Sequence, residues 1–274
     1  MSDDTKTVVI SGGTDGMGRA LARARRARGD RVVVIGSSEE KGRALRDETG
    51  AGLEFLRADL TLVAENRRVL RYLTDHYRSI DALALFANRQ SPRRRETAEG
   101  LESVFALYYL SRYLLAHGLR PQLASAPAPV IVSVAGVGAT AGAVQWDDMQ
   151  LTRRYGAVRS QLHAGRANDL LGVAYAESCG DTVPFVMYHP GFTRSGDLSP
   201  LNPLVRTMIR TLARFRARPV EASVAPILGF IDRPPAAALT AVDRGTTLDA
   251  SFPTLDPVAA RRLTAYTEDL LRNL

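Results

Sequence analysis

The chain has 274 residues and a mass of 29.8 kDa, which suits one large domain with a substantial buried core. Its hydrophobic content of 45% and charged content of 24% are ordinary for a soluble globular protein. No apolar run approaches the roughly 20 residues that span a bilayer, and no signal peptide is visible at the N-terminus. A single cysteine, Cys179, fits a reducing compartment. We therefore expect a cytoplasmic protein without stable membrane insertion.

The formal net charge of +7 comes almost entirely from arginine. Lys6 and Lys41 are the two lysines among 36 basic residues, a skew typical of high-GC coding. The arginines are spread over several predicted helices, for example within 23–28 and 67–71, rather than gathered into one patch. Solvated helix faces explain this pattern better than a nucleic-acid surface, so we expect a small-molecule substrate and no nucleic acid.

Short apolar runs alternate with helical stretches along the whole chain. Strands are predicted at Thr7–Ile10, Arg31–Ile35, Leu53–Arg57, Ala82–Ala87, Val130–Val134 and Pro184–His189. Helices are predicted at Met17–Arg28, after a capping box of Ser37 and Glu40, and at Val63–Tyr77, Glu99–Leu119, Tyr155–Ser178, Leu204–Arg216 and Asp256–Leu271. This alternation predicts a single α/β domain over 1–274, a doubly wound parallel sheet (Rossmann fold) flanked by helices, with a lid-like insertion at about 196–219.

A glycine-rich loop, SGGTDGMG, lies between the first predicted strand and the first predicted helix. Gly12, Gly16 and Gly18 permit a tight turn, so that backbone N–H groups at the helix N-terminus can approach a pyrophosphate. Thr14, Asp15 and Met17 complete the predicted cofactor-binding loop. A tight packing turn without a ligand is the alternative.

The loop resembles the TGxxxGxG segment of short-chain dehydrogenases/reductases, with Ser11 in place of the threonine. Two further segments, Thr97–Leu115 and Tyr188–Ser195, resemble the retinol-dehydrogenase-like branch of that family. The resemblance runs from about Thr7 to Leu271 and rests on the order of these segments. It implies that the cofactor contacts Asp59 and Leu60 at its adenine, Ala87 beside strand four, and Pro190, Gly191 and Ser195 at its carboxamide.

The end of the second strand predicts which dinucleotide is preferred. An NAD-selective site needs a carboxylate there for the ribose 2′-hydroxyl, and Gly36 supplies none. Ser37 and Ser38 can donate hydrogen bonds to a 2′-phosphate, although the family's usual arginine is missing and Asp15 stands where a base is common. We expect NADP(H) rather than NAD(H). Ser37 as a plain helix cap, and a protein that binds no cofactor, are the alternatives.

Members of this family reduce carbonyls with an asparagine, a serine, a tyrosine and a lysine, and the resemblance implies that all four are changed here. Gly136 stands at the serine, and Gln161, 25 residues further on, stands at the tyrosine. Gly165 stands at the lysine and Tyr108 at the asparagine. Neither lysine of the chain is placed to reach the site. We therefore expect no reduction of simple ketones by the family's usual mechanism.

Three residues are candidates for the catalytic centre. Tyr108 is the favoured replacement acid, with packing as its alternative role. Gln161 occupies the tyrosine position, and Arg166 can contact phosphate or ribose but does not release a proton at neutral pH. His163 is expected to face away from the site as a core or surface histidine. Tyr155 and Arg159 are four residues apart, like the family's tyrosine and lysine, but Tyr155 lies six residues before Gln161, the position expected for the tyrosine. No metal site is predicted.

Three functions remain open at this stage. The first is an atypical oxidoreductase of secondary metabolism that binds NADP(H) and lacks the Ser-Tyr-Lys relay. The second is a non-redox enzyme on the same scaffold, such as a cyclase, isomerase or dehydratase, and the third is a non-catalytic binding subunit. The helices Glu99–Leu119 and Tyr155–Ser178 match the family's usual dimer surface, so a homodimer is also an expectation.

Overall fold

A computed structural model describes residues 5–191 and 219–274. The strands are β1 (Thr7–Ser11), β2 (Arg31–Gly36), β3 (Leu53–Arg57), β4 (Ala82–Leu85), β5 (Val130–Val134), β6 (Phe185–His189), β7 (Leu239–Asp243) and β8 (Thr246–Thr247). The helices are α1 (Gly16–Ala27), α2 (Glu39–Thr49), α3 (Val63–His76), α4, α5 (Arg120–Ala124), α6 (Ala157–Cys179), α7 (Val220–Asp232) and α8 (Pro257–Arg272). Helix α4 is continuous and comprises Ser103–Phe105, a π-helical segment Ala106–Leu110, and Ser111–Gly118.

The strands form one sheet in the order β3-β2-β1-β4-β5-β6-β7-β8. Every neighbouring pair is parallel except β7 with β8, which is antiparallel. The chain reverses its direction of progress across the sheet between β1 and β4. Ligands of such sheets bind at the carboxyl ends of the strands beside this switch point. The predicted doubly wound α/β fold is confirmed.

The core lies on both faces of this sheet. Val9 pairs in register with Val33 of β2 and Leu83 of β4, and all three belong to one apolar cluster. Val8 and Ile10, which point to the opposite side, belong to the second cluster. The continuous apolar strands are therefore explained by helices covering both faces.

Two helix starts differ from the sequence predictions. Helix α2 is capped by Ser38, whose hydroxyl accepts a hydrogen bond from the backbone N–H of Lys41, so the predicted cap at Ser37 is wrong by one residue. The long helix predicted from Glu99 begins at Ser103. The carboxylate of Glu102 caps it by accepting from the N–H groups of the second and third residues after the cap. Strand β4 is also shorter than predicted: it ends at Leu85, two residues before Ala87.

The segment after β6 contains elements that the sequence prediction missed. Helix α7 and strands β7 and β8 extend the fold, and β7 continues the sheet beyond the six predicted strands. The predicted helix Leu204–Arg216, most of the predicted lid and Ser195 lie outside the described residues. Within the described residues, no helix combines the length and apolar character needed to cross a membrane.

Helix α8 covers part of the surface that the sequence analysis assigned to a dimer. It packs against α6, and Leu263 is buried in the core between them. The hydroxyls of Thr267 on α8 and Tyr109 on α4 lie 2.6 Å apart in a buried hydrogen bond. At the rim, Arg261 pairs with Glu177 of α6 at 2.9 Å. The helices α4 and α6 thus have an intramolecular partner at this face.

Candidate active site

The glycine loop joins β1 to α1 and is packed too tightly to carry side chains. Gly12 has a φ of +71°, and a Cβ atom built there would lie 2.7 Å from the backbone nitrogen of Ala87. A Cβ on Gly18 would overlap the carbonyl oxygen of Gly12. Gly16 also has a positive φ, of 50°. The loop therefore wraps closely round the start of α1, where a helix N-terminus favours an anion.

Thr14 and Met17 support this loop in different ways. The side chain of Thr14 lies against Gly36, where a Cβ atom would approach Thr14 Cγ2 to 2.8 Å. The absence of a carboxylate at position 36 thus has a steric reason, because any side chain there would displace Thr14. Met17 is buried in the apolar cluster, so its side chain anchors α1 to the sheet.

The N-termini of α1 and α2 lie close together and bring a cation into the loop. Asp15 caps α1 by accepting from the N–H of Gly16 at 2.8 Å, and it forms an ion pair with Lys41 of α2. The hydrogen bond from Lys41 is the main reason why the pKa of Asp15 lies below its ordinary value. With Ser38 at the start of α2, these groups form a polar surface beside Gly36. The sequence does not predict Lys41 as part of this loop, because no local pattern shows that α2 begins beside α1.

The residues predicted to contact the adenine lie after β3. Asp59 is exposed, and its Oδ1 accepts hydrogen bonds from the N–H of Thr61 at 3.0 Å and the hydroxyl of Thr61 at 2.7 Å. Leu60 is buried in the core with Ala87. The structure thus places Asp59 at the carboxyl end of β3, in the orientation of a turn-capping residue.

The three relay positions lie together but carry no acid. The side chains of Gln161 and Asn88 exchange two hydrogen bonds, of 3.0 and 3.2 Å, and Gln161 also donates to the carbonyl of Arg89 at 3.2 Å. A Cβ atom on Gly136 would meet nothing within 4 Å, so the serine position is open space. A Cβ atom on Gly165 would lie 4.0 Å from Cε1 of Tyr108. An amide pair and two glycines therefore occupy the positions that the sequence resemblance assigns to the relay.

Tyr108 occupies the space beside both glycines. It lies in the π-helical segment of α4, a type of irregularity that is frequent at functional sites. Its side chain is buried, and its carbonyl accepts a hydrogen bond from the side-chain amide of Asn168 at 2.8 Å. Burial raises the pKa of Tyr108 above its ordinary value, so the phenol is neutral at physiological pH. The structure thus brings Tyr108 together with Gly136 and Gly165.

Arg166 is engaged by its own surroundings. One of its terminal nitrogens lies 3.1 Å from Oδ2 of Asp169, a buried carboxylate on the same helix. The other donates to the carbonyls of Ala139, Thr140 and Gly142 at 3.2 to 3.3 Å. These contacts tie the loop after β5 to α6.

His163 and Tyr155, the other side chains considered as proton donors, have structural roles. His163 is fully buried: its Nδ1 accepts from the N–H of Gln145 and its Nε2 donates to the carbonyl of Met149, each at 3.1 Å. Burial lowers the pKa of His163 to about 4. Of the two expected roles, a core or a surface histidine, the structure shows the core role. Tyr155 donates to the carbonyl of Ser91 at 2.8 Å, which fixes a loop rather than a substrate.

The carboxyl end of β6 completes this edge of the site. Pro190 and Gly191 follow β6 directly, and Gly191 has a φ of +81°. A Cβ atom on Gly191 would lie 3.0 Å from Cγ of Arg244, which follows β7. His189 Nδ1 lies 2.8 Å from a carboxylate oxygen of Asp243 and joins the ends of β6 and β7. The predicted carboxamide segment thus begins at the same sheet edge as the glycine loop.

A parallel sheet with a glycine loop at its switch point and polar groups along its carboxyl edge defines a nucleotide-binding α/β protein of the Rossmann type. A family model described as short chain dehydrogenase matches residues 6–148, and the chain belongs to this family. Among the described residues, no group of side chains forms a cluster that could hold a metal ion.

Known proteins extend this assignment. The proposed daunorubicin C-13 ketoreductase DnrU of Streptomyces sp. (strain C5) is 30% identical over 232 residues, which cover 79% of each chain. Retinol dehydrogenase 12 of Homo sapiens is 29% identical over 197 residues, 69% of this chain and 62% of that protein. A short-chain dehydrogenase structure from Streptomyces avermitilis has a TM-score of 0.67 at 19% identity and covers 100% of this chain and 96% of that one. The resemblance to the retinol-dehydrogenase-like branch is confirmed.

Proposed function

We propose that this protein is an atypical NADP(H)-binding oxidoreductase that acts on a small molecule of secondary metabolism without a Ser-Tyr-Lys relay. The observation that carries the proposal is the place of the glycine loop: it joins β1 to the N-terminus of α1 at the switch point of the sheet, where backbone N–H groups favour a pyrophosphate. DnrU, a relative of this chain, is named for reduction of a ketone of daunorubicin, a secondary metabolite.

The preference for NADP(H) is supported by the groups around Gly36. Thr14 excludes a carboxylate at this position, and the Ser38 hydroxyl and the Lys41 ammonium lie at the start of the next helix. Lys41 pairs with Asp15. A 2′-phosphate would compete with Asp15 for the same cation. Ser37 stands next to the cap and adds a second hydroxyl to this group.

The bound dinucleotide would supply hydride chemistry, and the chain's own residues would bind and orient the reactants. Asp59 and Leu60 stand on the adenine side, Ala87 borders the loop, and Pro190 with Gly191 lies on the carboxamide side. In the catalytic part, the buried Tyr108 is a neutral phenol beside open space at Gly136. Gln161 borders that space, and Arg166 holds the loop after β5 in place.

The cofactor proposal is tested by titrating the protein with NADPH and NADH while following nicotinamide fluorescence. The chain's two lysines provide a matched pair of variants. Lys41→Ala should weaken NADPH binding about 10-fold or more, the effect of losing a hydrogen bond to a charged group, and should leave NADH unchanged. Lys6→Ala, before β1, should change neither. Asp15→Asn should tighten NADPH binding, because it removes the competing carboxylate.

Two outcomes would contradict this part of the proposal. Equal affinity for both nucleotides would remove the preference for NADP(H). No binding of either nucleotide would favour the non-redox enzyme or the non-catalytic binding subunit.

A non-redox enzyme is the second candidate, and the replacement of the relay by Gly136, Gln161 and Gly165 favours it. Restoring the relay tests it, and Tyr108 is replaced as well because a side chain at 165 would begin in contact with its ring. The informative variant is therefore Tyr108→Asn/Gly136→Ser/Gln161→Tyr/Gly165→Lys, compared with the parent on simple ketones with NADPH. Activity in the variant alone would show a scaffold competent for reduction. Turnover of ordinary ketones by the parent at roughly 1–10³ s⁻¹ would overturn the assignment of the site.

A further inference from the structure

Arg112 is a buried cation at the floor of the candidate site. Its guanidinium is inaccessible to solvent and donates to the hydroxyl of Ser133 at 2.8 Å and to the carbonyls of Val134 at 3.0 Å and Ala87 at 3.3 Å. Within residues 5–191 and 219–274, no carboxylate lies within ion-pair distance of it. Burial lowers its pKa to about 10, so the group is charged at neutral pH. Burying a charge without a counter-ion is costly, and a functional role would explain its presence.

The guanidinium lies directly against Tyr108. Its central carbon is 4.7 Å from the centroid of the Tyr108 ring, a distance typical of a cation–π contact. The ring edge faces Gly165, where a Cβ atom would lie 4.0 Å from Cε1 of Tyr108, and a Cβ atom on Gly136 would meet open space. The aromatic ring therefore stands between the buried charge and the empty serine and lysine positions.

The pair has the spacing of the relay that the chain has lost. Tyr108 and Arg112 are four residues apart on α4, as the family's tyrosine and lysine are on the helix equivalent to α6. Side chains at this spacing meet on one side of a helix. The π-helical segment Ala106–Leu110 contains Tyr108 and sets its direction relative to Arg112.

We propose that Tyr108 and Arg112 form a relocated tyrosine–cation pair, in which Tyr108 donates the proton to the substrate's oxygen and Arg112 is the positioning residue that stabilises the phenolate. This inference rests on the proposed reductase function. A bound reduced nicotinamide would supply the hydride to the carbonyl carbon and would leave as the oxidised form, and the C=O π electrons would move to oxygen. The phenolic O–H bond then breaks as a new O–H bond forms on the substrate. Water returns a proton to the phenolate.

The charges around Tyr108 act in opposite directions on this step. Burial opposes the phenolate most strongly, and Asp169 on α6 opposes it as well. Arg112 on α4 and the N–H of Gly136 after β5 favour it. Arg112 thus supplies the favourable charge that a lysine on α6 supplies elsewhere in the family.

The first test measures the phenol itself and needs no substrate. The tyrosines are replaced by 3-fluorotyrosine, whose more acidic phenol titrates at lower pH, and the signals are followed by ¹⁹F NMR. Tyr108→Phe identifies the signal of Tyr108. In Arg112→Met its titration midpoint should rise by about 1–3 pH units, and Arg112→Lys should restore it. An unchanged midpoint in a folded Arg112→Met protein would overturn the role of Arg112. Arg112→Gln provides the same comparison if the methionine variant does not fold.

The second test separates this inference from the proposed function. NADPH binding and the reduction of activated carbonyl compounds are measured for the parent and each variant. Tyr108→Phe should bind NADPH normally and lose about 10²–10⁴-fold in kcat, the usual contribution of a general acid. Arg112→Met should lower kcat more than it changes KM and should shift the pH profile. Parental turnover in Tyr108→Phe would overturn the inference alone, whereas failure of the parent to bind NADPH would overturn the proposed function.

Discussion

Asp169 offers a test of the electrostatics of this site that depends on stability alone. Its carboxylate is buried beneath the loop after β5 and lies 3.1 Å from Arg166. Burial raises its pKa from 3.8 to about 7, although the charge of Arg166 lowers it in part. Asp169→Asn keeps an oxygen that can accept from Arg166 and removes the titration. We expect this variant to be more stable than the parent at neutral pH.

The sign follows from proton binding in the two states. Between pH 4 and 7, the folded protein holds a proton on Asp169 that the unfolded chain has released. The favourable contribution of Asp169 is therefore fully present below pH 3.8 and is lost as the pH rises through about 7. One pKa unit corresponds to about 1.4 kcal/mol. From pH 5 to pH 8, the free energy of unfolding of Asp169→Asn should gain about 2–3 kcal/mol relative to the parent.

The assay is urea unfolding followed by circular dichroism at several pH values from 5 to 8. Asp181→Asn, at an exposed position after α6, is the matched control and should show no trend with pH. A difference between Asp169→Asn and the parent that stays constant over this range would refute the reasoning. It would mean that Asp169 is ionised in the folded protein throughout.

Three further predictions follow from packing and burial. Gly18→Ala should abolish dinucleotide binding and lower stability by about 1–3 kcal/mol, because its methyl group overlaps backbone atoms. The control Gly229→Ala, where a Cβ atom meets nothing within 4 Å, should change neither property. Fluorescence titration measures the binding and thermal melting the stability. The pKa of His163 is about 4 in the folded protein and 6.5 in the unfolded chain, so His163 should add stability at neutral pH that is lost as the pH falls from 6.5 through 4. In His163→Gln, the free energy of unfolding should therefore depend less on pH over this range. An unchanged pH dependence would mean that the imidazole is already protonated in the folded protein. A chain without residues 256–274 should self-associate, because the apolar face under α8 becomes exposed, whereas the full chain should not associate through this face. Light scattering measures the association. A truncated chain that stays monomeric would contradict this prediction.

The strands and the phosphate loop could be predicted because their signals are local. Five of the six predicted strands contain at least three consecutive apolar residues, as expected when helices cover both faces of a sheet, and Leu53–Arg57 at the sheet edge is the exception. The loop from Ser11 to Gly18 directly joins the first strand to the first helix. Its glycines are required by contacts with the neighbouring backbone, which a sequence pattern reflects directly.

The remaining features depend on contacts between distant segments. Lys41 reaches Asp15 only because the N-termini of two helices converge at the sheet edge, and no spacing within either helix shows this. The side chain of Glu102 stops the long helix from extending back to Glu99, although the residues between them suit a helix. Tyr108 lies in the π-helical segment of α4, which changes the direction of its side chain. A regular helical periodicity in the sequence does not predict such a segment.

The changes at positions 108, 136 and 165 depend on one another through space. A side chain at 165 would begin in van der Waals contact with the Tyr108 ring, and a Cβ atom at 136 would meet open space. The two glycines therefore leave space beside the ring. In the proposed pair, the tyrosine and the positive charge both lie on α4, because Arg112 is buried against the same ring. The glycines at 136 and 165 and the proposed pair on α4 are then parts of one pocket.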